Sequence, residues 1–477
     1  MKAIELKNVT FSYEGAETAV LTGANLCVEY GEVALLSGFS GEGKSTVLSL
    51  IAGIIPNLTP GELTGDVFIG GERMNGRKLN EVCRKVGVVL QNAEAQIIQQ
   101  LVEDEIAFGC ENFAFPHDQI TACIERACRQ MRLEPGWKTR TLSGGQKQRL
   151  ITAATLATQQ KILVLDEPLA NLDKAGAQLL METLRTLAGE GYAVLVVEHR
   201  LDMVLPYVDS VWSIRKGEIV KIGNKQEYLS AQAACIRDEC GPADTGEAAF
   251  QFDHVGFSAR GREILRDIAF EIKKGERVLL LGENGCGKTT LLRLTARLYT
   301  PTRGSIRQGI DPKLGQGQRG SRAWFQQVGV VYQNPNYQLF MPTVQQEVAF
   351  GAKSEEYAQE IMRMFGIGHL AEKHPQSLSE GQKRRVSIAA VAASDPAVLL
   401  LDEPTVGQDY EGLRDMVRIL NRLHERSGST VITVTHDMRC AEALCDHAVL
   451  VQSGMVTEEG GKELAHRYFY ENGSRVS

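Results

Sequence analysis

The chain has 477 residues, 43% hydrophobic and 23% charged, the proportions of an ordinary globular protein too long for one core. Its net charge of −7 supplies no global electrostatic reason to hold nucleic acid. Ten cysteines without a C-x-x-C pair or a Cys/His cluster at zinc spacing argue against zinc and iron–sulfur modules, and no apolar run nears the ~18–20 residues needed to span a bilayer.

The start, Met1-Lys-Ala-Ile-Glu5, lacks an apolar leader core, which predicts a cytosolic chain with reduced thiols. An apolar strand over 32–37 then runs into Gly38-Phe-Ser40-Gly41-Glu-Gly43-Lys44-Ser45-Thr46 and a helix with periodic Val47, Leu48, Leu50 and Ile51. G-x-x-x-x-G-K-[ST] between a strand and a helix is what a phosphate cradle requires. The glycines let successive backbone N–H groups close on phosphate oxygens, the lysine reaches the β/γ-phosphates and the hydroxyl binds Mg²⁺. Gln91 follows, and then a more helical stretch, with 119–131 as one helix. Leu142-Ser143-Gly-Gly145-Gln146 begins another helix, with Ser143 as its N-cap. The free amides of that helix start also suit a γ-phosphate, which a short loop would take from another domain. Next, Lys161-Ile-Leu-Val-Leu-Asp166-Glu167 reads as a buried strand ending in two carboxylates. Alternation along a strand should aim the two acids differently, Asp166 toward Mg²⁺ and Glu167 toward an attacking water. A helix cap or a solvated acid pair is the alternative. His199 ends a further apolar strand, where a polar strand end is the plainer reading.

The whole series then repeats in order. The join at 231–247 contains Gly-Pro and no apolar periodicity, so domains are expected at 1–232 and 249–477 with a linker over 233–248. In the second copy a strand over 277–281 leads into Gly282-Glu-Asn284-Gly285-Cys-Gly287-Lys288-Thr289-Thr290. Gln333, a helical stretch at 354–365, Leu378-Ser379-Glu-Gly381-Gln382, Asp402-Glu403 and His436 follow. Apolar strands alternating with helical segments predict an α/β fold, two tandem P-loop NTPase domains, each a mainly parallel sheet core with a helical subdomain.

These motifs together resemble two fused nucleotide-binding domains of the ABC (ATP-binding cassette) family, over nearly the whole chain. The resemblance implies an ATPase using ATP and Mg²⁺, with the domains paired head to tail. Lys44, Ser45, Gln91, Asp166, Glu167 and His199 would then share a nucleotide with Ser379, Gly381 and Gln382. Lys288, Thr289, Gln333, Asp402, Glu403 and His436 would share the other with Ser143, Gly145 and Gln146. Glu167, His199, Glu403 and His436 would be catalytic; Ser45, Gln91, Asp166, Thr289, Gln333 and Asp402 would hold the metal. Asp173 and Asp409 fit the loop linking the two sites. Tyr13 matches the aromatic on which the family stacks adenine, whereas its counterpart is Ala259, with Phe257 the nearest substitute. Glu380 stands where the first copy has Gly144. Each site thus carries one departure, and modest asymmetry between two competent sites is expected.

Gln91-Asn-Ala-Glu-Ala-Gln96 with Val102-Glu-Asp-Glu-Ile-Ala-Phe108-Gly109, and Gln333-Asn-Pro-Asn-Tyr-Gln338 with Val344-Gln-Gln-Glu-Val-Ala-Phe350-Gly351, narrow the resemblance. They are similar to the ATPase subunits of energy-coupling factor (ECF) importers, which take up vitamins and transition-metal ions in prokaryotes. That implies a peripheral position on the inner face of the cell membrane, a transmembrane scaffold as coupling partner and a small membrane protein that captures substrate. The alternative places Phe108 and Phe350 in the core of a generic amphipathic segment. Two rival functions are a fused sugar-importer ATPase, which usually has one degenerate site, and a soluble tandem ABC protein acting on ribosomes or nucleic acid. No charged linker, metal-binding cysteines or basic tail favours the latter.

Overall fold

The computed structural model describes residues 1–16, 18–39, 41–170, 172–232, 246–259, 261–317, 319–406, 408 and 410–470. It divides into two compact units, Met1–Ala234 and Cys235–Ser477. The expected linker lies outside the described residues over 233–245, and Ala248 already opens a strand.

In the first unit, β1 (Lys2–Tyr13), β2 (Leu21–Glu29), β3 (Val33–Gly38), β4 (Gly61–Ile69), β5 (Glu72–Arg73), β6 (Val86–Val89), β7 (Ile162–Asp166), β8 (Ala193–Val197), β9 (Ser210–Arg215) and β10 (Glu218–Ile222) form two sheets. One is antiparallel, in the order β2-β1-β4-β5. The other runs β10-β9-β3-β8-β7-β6 and is parallel except at the β10–β9 edge. Its central strands are almost wholly apolar because both faces are covered. Leu35, Leu163, Leu165, Val194 and Val196 face a core shared with the helices, whereas Leu36, Val164, Leu195 and Val197 join the core beneath the antiparallel sheet. The helices Val102–Asn112 and His117–Met131 pack on Gly144–Ala157 through Val102, Ile106, Cys123, Ala127 and Leu150, and so form the expected helical subdomain.

The second unit repeats this plan with β11 (Ala248–Ala259), β12 (Arg262–Lys273), β13 (Arg277–Leu281), β14 (Arg303–Gln308), β15 (Val328–Val331), β16 (Val398–Asp402), β17 (Thr430–Val434), β18 (His447–Gln452) and β19 (Met455–Gly460). A single parallel pairing, Asp267 with Met455, joins its two sheets into one of nine strands. Among the described residues no helix is long and apolar enough to cross a membrane.

Candidate functional site

Each phosphate loop leaves the carboxyl end of a central parallel strand, the position at which open α/β sheets receive ligands. Gly38 (φ 155°) and Gly282 (φ 144°) let the chain turn away against a neighbouring strand. A Cβ there would lie 2.5 Å from the Ile214 methyl or 2.3 Å from the Val451 carbonyl oxygen. Gly41, Gly43, Gly285 and Gly287 are left-handed. Lys44 Nζ donates to the carbonyls of Gly38 (2.8 Å) and Phe39 (2.7 Å); Lys288 does the same with Gly282 (2.6 Å) and Glu283 (2.8 Å). The loops differ most in chemistry at the residue before the last glycine. Glu42 folds back to accept from the Phe39 amide, whereas Cys286 places its sulfur 3.9 Å from Lys288 Nζ. Ser40 lies outside the described residues. Asn284 Oδ1 accepts a 2.9 Å bond from His436 Nε2, and Thr290 continues the helix Lys288–Thr295.

Of the expected metal residues the hydroxyls and aspartates meet, while Gln91 turns its Nε2 to Glu167. Ser45 Oγ is 3.4 Å from Asp166 Oδ2, and Thr289 Oγ1 is 3.3 Å from Asp402 Oδ1. A hydroxyl beside a carboxylate at the mouth of a phosphate cradle is a hard oxygen set that fits Mg²⁺.

The two acids of each pair diverge, but strand alternation is only part of the cause. Glu167 (φ 45°) and Glu403 (φ 53°) are left-handed, pinned by amide bonds of 2.9 Å to the Val197 and Val434 carbonyls. Glu167 Oε2 accepts from Gln91 Nε2 at 2.7 Å, and its Oε1 lies 3.3 Å from His199 Nε2. Glu403 Oε2 accepts from the His436 amide at 3.2 Å, with His436 Nε2 3.4 Å from Oε1. Burial and the adjacent Glu167 push Asp166 up to about 7. Burial alone would raise Glu167 as well, but His199, Lys44 and Gln91 bring it below its ordinary value. In the second unit burial, then Asp402, push Glu403 up to about 8, and burial also raises Asp402.

Both signature helices begin with a capping box that the sequence reading had only half identified. Ser143 Oγ accepts from the Gln146 amide while the Gln146 side chain accepts from the Ser143 amide, and Ser379 with Gln382 repeats the arrangement. Gly145 and Gly381 lie in the first turn. Glu380 turns toward Lys383, 3.1 Å away and half-exposed. Asp173 caps the helix Lys174–Gly189 through the Gly176 amide; Asp409 lies outside the described residues. Tyr13 shares a 2.9 Å hydrogen bond with Thr46 Oγ1 and meets Phe11 edge-on, whereas Phe257 stacks on Tyr299, with ring centres 5.3 Å apart.

The segment after each glutamine is a clamp. Gln96 and Gln338 accept from the Leu90 and Tyr332 amides at 2.9 Å. The buried Glu105 accepts from the Ile98 and Gln99 amides, and the buried Glu347 from those of Phe340 and Met341. Ile98 (67%) and Phe340 (66%), held this way, are exposed; so are Tyr337 (71%) and Phe350 (67%), and Phe108 partly so. The alternative that put Phe108 and Phe350 in the core is thus excluded. Phe340 and Phe350 meet edge-on at 5.4 Å, and in the first unit a groove of about 250 Å³ lies beside Ile98, lined also by Glu94, Arg140 and Lys147.

Glu198 had not been singled out. It is buried and accepts from the amides of Leu169, His199 and Arg200, tying the histidine's loop to the segment after Glu167; the second unit uses a Thr405–Thr435 hydroxyl pair instead. Its signal was a carboxylate at the end of an all-apolar strand.

The sequence profile described as ABC transporter matches residues 21–170 and 265–406. A provisionally named ABC transporter ATP-binding protein of Methanosarcina mazei is 32% identical, covering 96% of this chain and 88% of its own. YkoD of Bacillus subtilis, provisionally named an HMP/thiamine import ATP-binding protein, is 30% identical over 96% of this chain and 91% of its own. In fold, the chain is similar to a structure titled as ribosome-bound archaeal Pelota and ABCE1, with a TM-score of 0.72 at 21% identity, over 97% of this chain and 80% of the other.

Proposed function

We propose that this chain, which belongs to the ABC transporter family and carries its ATP-binding domain twice, is the motor subunit of an ECF-type importer. It would couple ATP binding and hydrolysis to uptake of a vitamin or transition-metal ion through separate membrane subunits. The chain is an ABC-type ATPase. What carries the importer reading is the set of exposed apolar residues after the glutamines proposed to sense the γ-phosphate: Ile98 in the first unit and Tyr337, Phe340 and Phe350 in the second, with the Ile98 and Phe340 amides pinned by buried glutamates. Apolar side chains fixed in the open in this way suit a hydrophobic partner segment. The import role in the name of the Bacillus subtilis relative supports the same direction.

In this reading the glycine amides and Lys44 or Lys288 take the phosphates. Ser45 with Asp166, and Thr289 with Asp402, would hold Mg²⁺, which neutralises charge on the transferring phosphoryl group. Glu167 and Glu403 orient and deprotonate the attacking water. His199 and His436, within 3.4 Å of those carboxylates, hold them in place and face the γ-phosphate. By the family resemblance, Ser379 and Gly381 would serve the nucleotide held at Lys44, and Ser143 and Gly145 the one held at Lys288.

The test is recovery of partners from detergent-solubilised cells with the tagged Glu167→Gln, Glu403→Gln chain and ATP. Two small, very hydrophobic proteins should co-purify, and Phe340→Ser with Phe350→Ser should release them while leaving ATP binding intact. Recovery of ribosomal proteins or nucleic acid without a membrane protein would overturn the importer reading and leave the ATPase.

A further inference from the structure

Arg384 stands on the signature helix Glu380–Ala392, five positions after Ser379, and is buried. Its guanidinium leaves its own helix to reach two backbone carbonyls. Nη1 donates to Glu403 O at 2.7 Å and Nη2 to Gln333 O at 2.8 Å. One carbonyl belongs to the proposed water-orienting acid, the other to the glutamine proposed to sense the γ-phosphate. The first unit has Gln148 at the matching place, 0% exposed, and neither Nε2 nor Oε1 has a hydrogen-bond partner. There the link between the same two functions is made without the helix, by Gln91 Nε2 on Glu167 Oε2.

We infer that Arg384 is a positioning residue that ties the glutamine segment, the catalytic acid and the signature helix of the second unit into one body. A planar guanidinium holds two acceptors at a spacing set by its rigid fork, which a freely rotating ammonium does not. Movement of Gln333 on nucleotide binding is therefore passed to the helix that begins at Ser379. In the first unit the helix Gly144–Ala157 reaches the Gln91 segment through a side-chain ion pair, Lys147 with Glu94 at 2.6 Å, and its Gln148 bridges neither the glutamine nor the acid. The asymmetry between the sites would then be mechanical as well as chemical. It rests on the roles proposed above for Gln333 and Glu403.

The experiment uses the full chain in a Glu167→Gln background, so that the remaining hydrolysis comes from the second unit. Arg384→Gln should lower kcat about tenfold or more, the scale of loss from misplacing a catalytic group. The KM for ATP should stay within twofold, because the phosphate loop is untouched. Arg384→Lys should not restore kcat. Hydrogen exchange with a non-hydrolysable ATP analogue adds a readout that packing alone would not move. In the parent chain, residues 333–338 and 380–386 should gain protection together; in either Arg384 variant, 333–338 should still respond and 380–386 should not. An unchanged kcat, rescue by lysine, or joint protection in the variants overturns the inference. So does a lower thermal midpoint with kcat per folded molecule preserved. Gln148→Met in a Glu403→Gln background should leave kcat and KM within twofold, and a tenfold loss there overturns the asymmetry. If instead the Glu167→Gln, Glu403→Gln chain hydrolyses ATP at the parent rate, it is the assignment of the acids that has failed.

Discussion

Glu167 and Glu403 sit in a backbone region that costs a non-glycine residue on the order of 1–3 kcal/mol, held by single amide bonds to the neighbouring strand. That strain can be separated from chemistry. Glu403→Gly and Glu403→Gln should both suppress hydrolysis by the second unit about a hundredfold or more, the usual worth of a general base. Only the glycine variant should also raise that unit's thermal midpoint, since it removes the strained φ together with a buried carboxyl pushed up to about 8. Scanning calorimetry beside a phosphate-release assay checks both halves. Tyr13 offers a second residue-scale test. Tyr13→Ala should weaken ATP binding by the first unit by roughly 1–3 kcal/mol, the worth of an aromatic stack on a base. Tyr13→Phe should lose only about 1 kcal/mol for the Thr46 bond. Titration of a fluorescent ATP analogue distinguishes them. The acids themselves were legible because four apolar residues before Asp166 and Asp402 left no other place for a carboxylate pair. Their left-handed turn was not, because nothing in a local pattern of side chains specifies φ at the residue after a strand.

At the scale of an element, β13 begins on a charge where β3 begins on a valine. Arg277 is buried and forks onto Asp446, with Nε–Oδ2 at 2.9 Å and Nη2–Oδ1 at 2.5 Å, and also reaches Asn421. In the first unit the matching Asp209 pairs with Arg185 at the surface. Removing one partner of a buried pair strands the other, so Arg277→Met should cost about 3–5 kcal/mol, read from denaturation followed through Trp324, the one tryptophan of that unit. Beside it, His447 lies between Glu276 and Glu459. The hydrogen bond and charge of Glu276 raise the imidazole above its ordinary 6.5. Burial opposes ionisation of Glu276, but His447 and the Lys273 amide bring that carboxyl below 4.5. The histidine's contribution is complete below 6.5 and fades as pH rises through its raised value; the glutamate's is complete above 4.5 and fades as pH falls. The stability deficit of His447→Gln should accordingly be largest near pH 5.5 and shrink toward pH 9, as measured by thermal midpoints across that range. The parallel strands and signature helices could be read from apolar runs and cap residues. A buried arginine could not, since a charge at a strand start ordinarily marks the surface. The exposure of Phe350 was equally hidden, because its spacing suits a core position, yet it stands just past the helix Val344–Ala349 with its side chain in the open.

For the molecule as a whole, the duplication built two units on one plan, and the sequence displayed that plan through motifs repeated in order. What it displayed less clearly is how far the copies have drifted: a nine-stranded sheet against two separate ones, and a bridging arginine against a glutamine without a hydrogen-bond partner. The drift also reaches the phosphate loops, where Glu42 stands opposite Cys286. Cys286 is partly accessible, as is Cys27, and Cys83 is exposed outside either cradle, whereas Cys110, Cys123, Cys128, Cys440 and Cys445 are buried. A maleimide attached to that sulfur would fill the second cradle and leave the first untouched. The second engine of this chain can thus be switched off by itself with a reagent added to the wild-type protein. N-ethylmaleimide should abolish the second unit's share of turnover, ATP should slow the reaction, and Cys286→Ser should make the chain resistant.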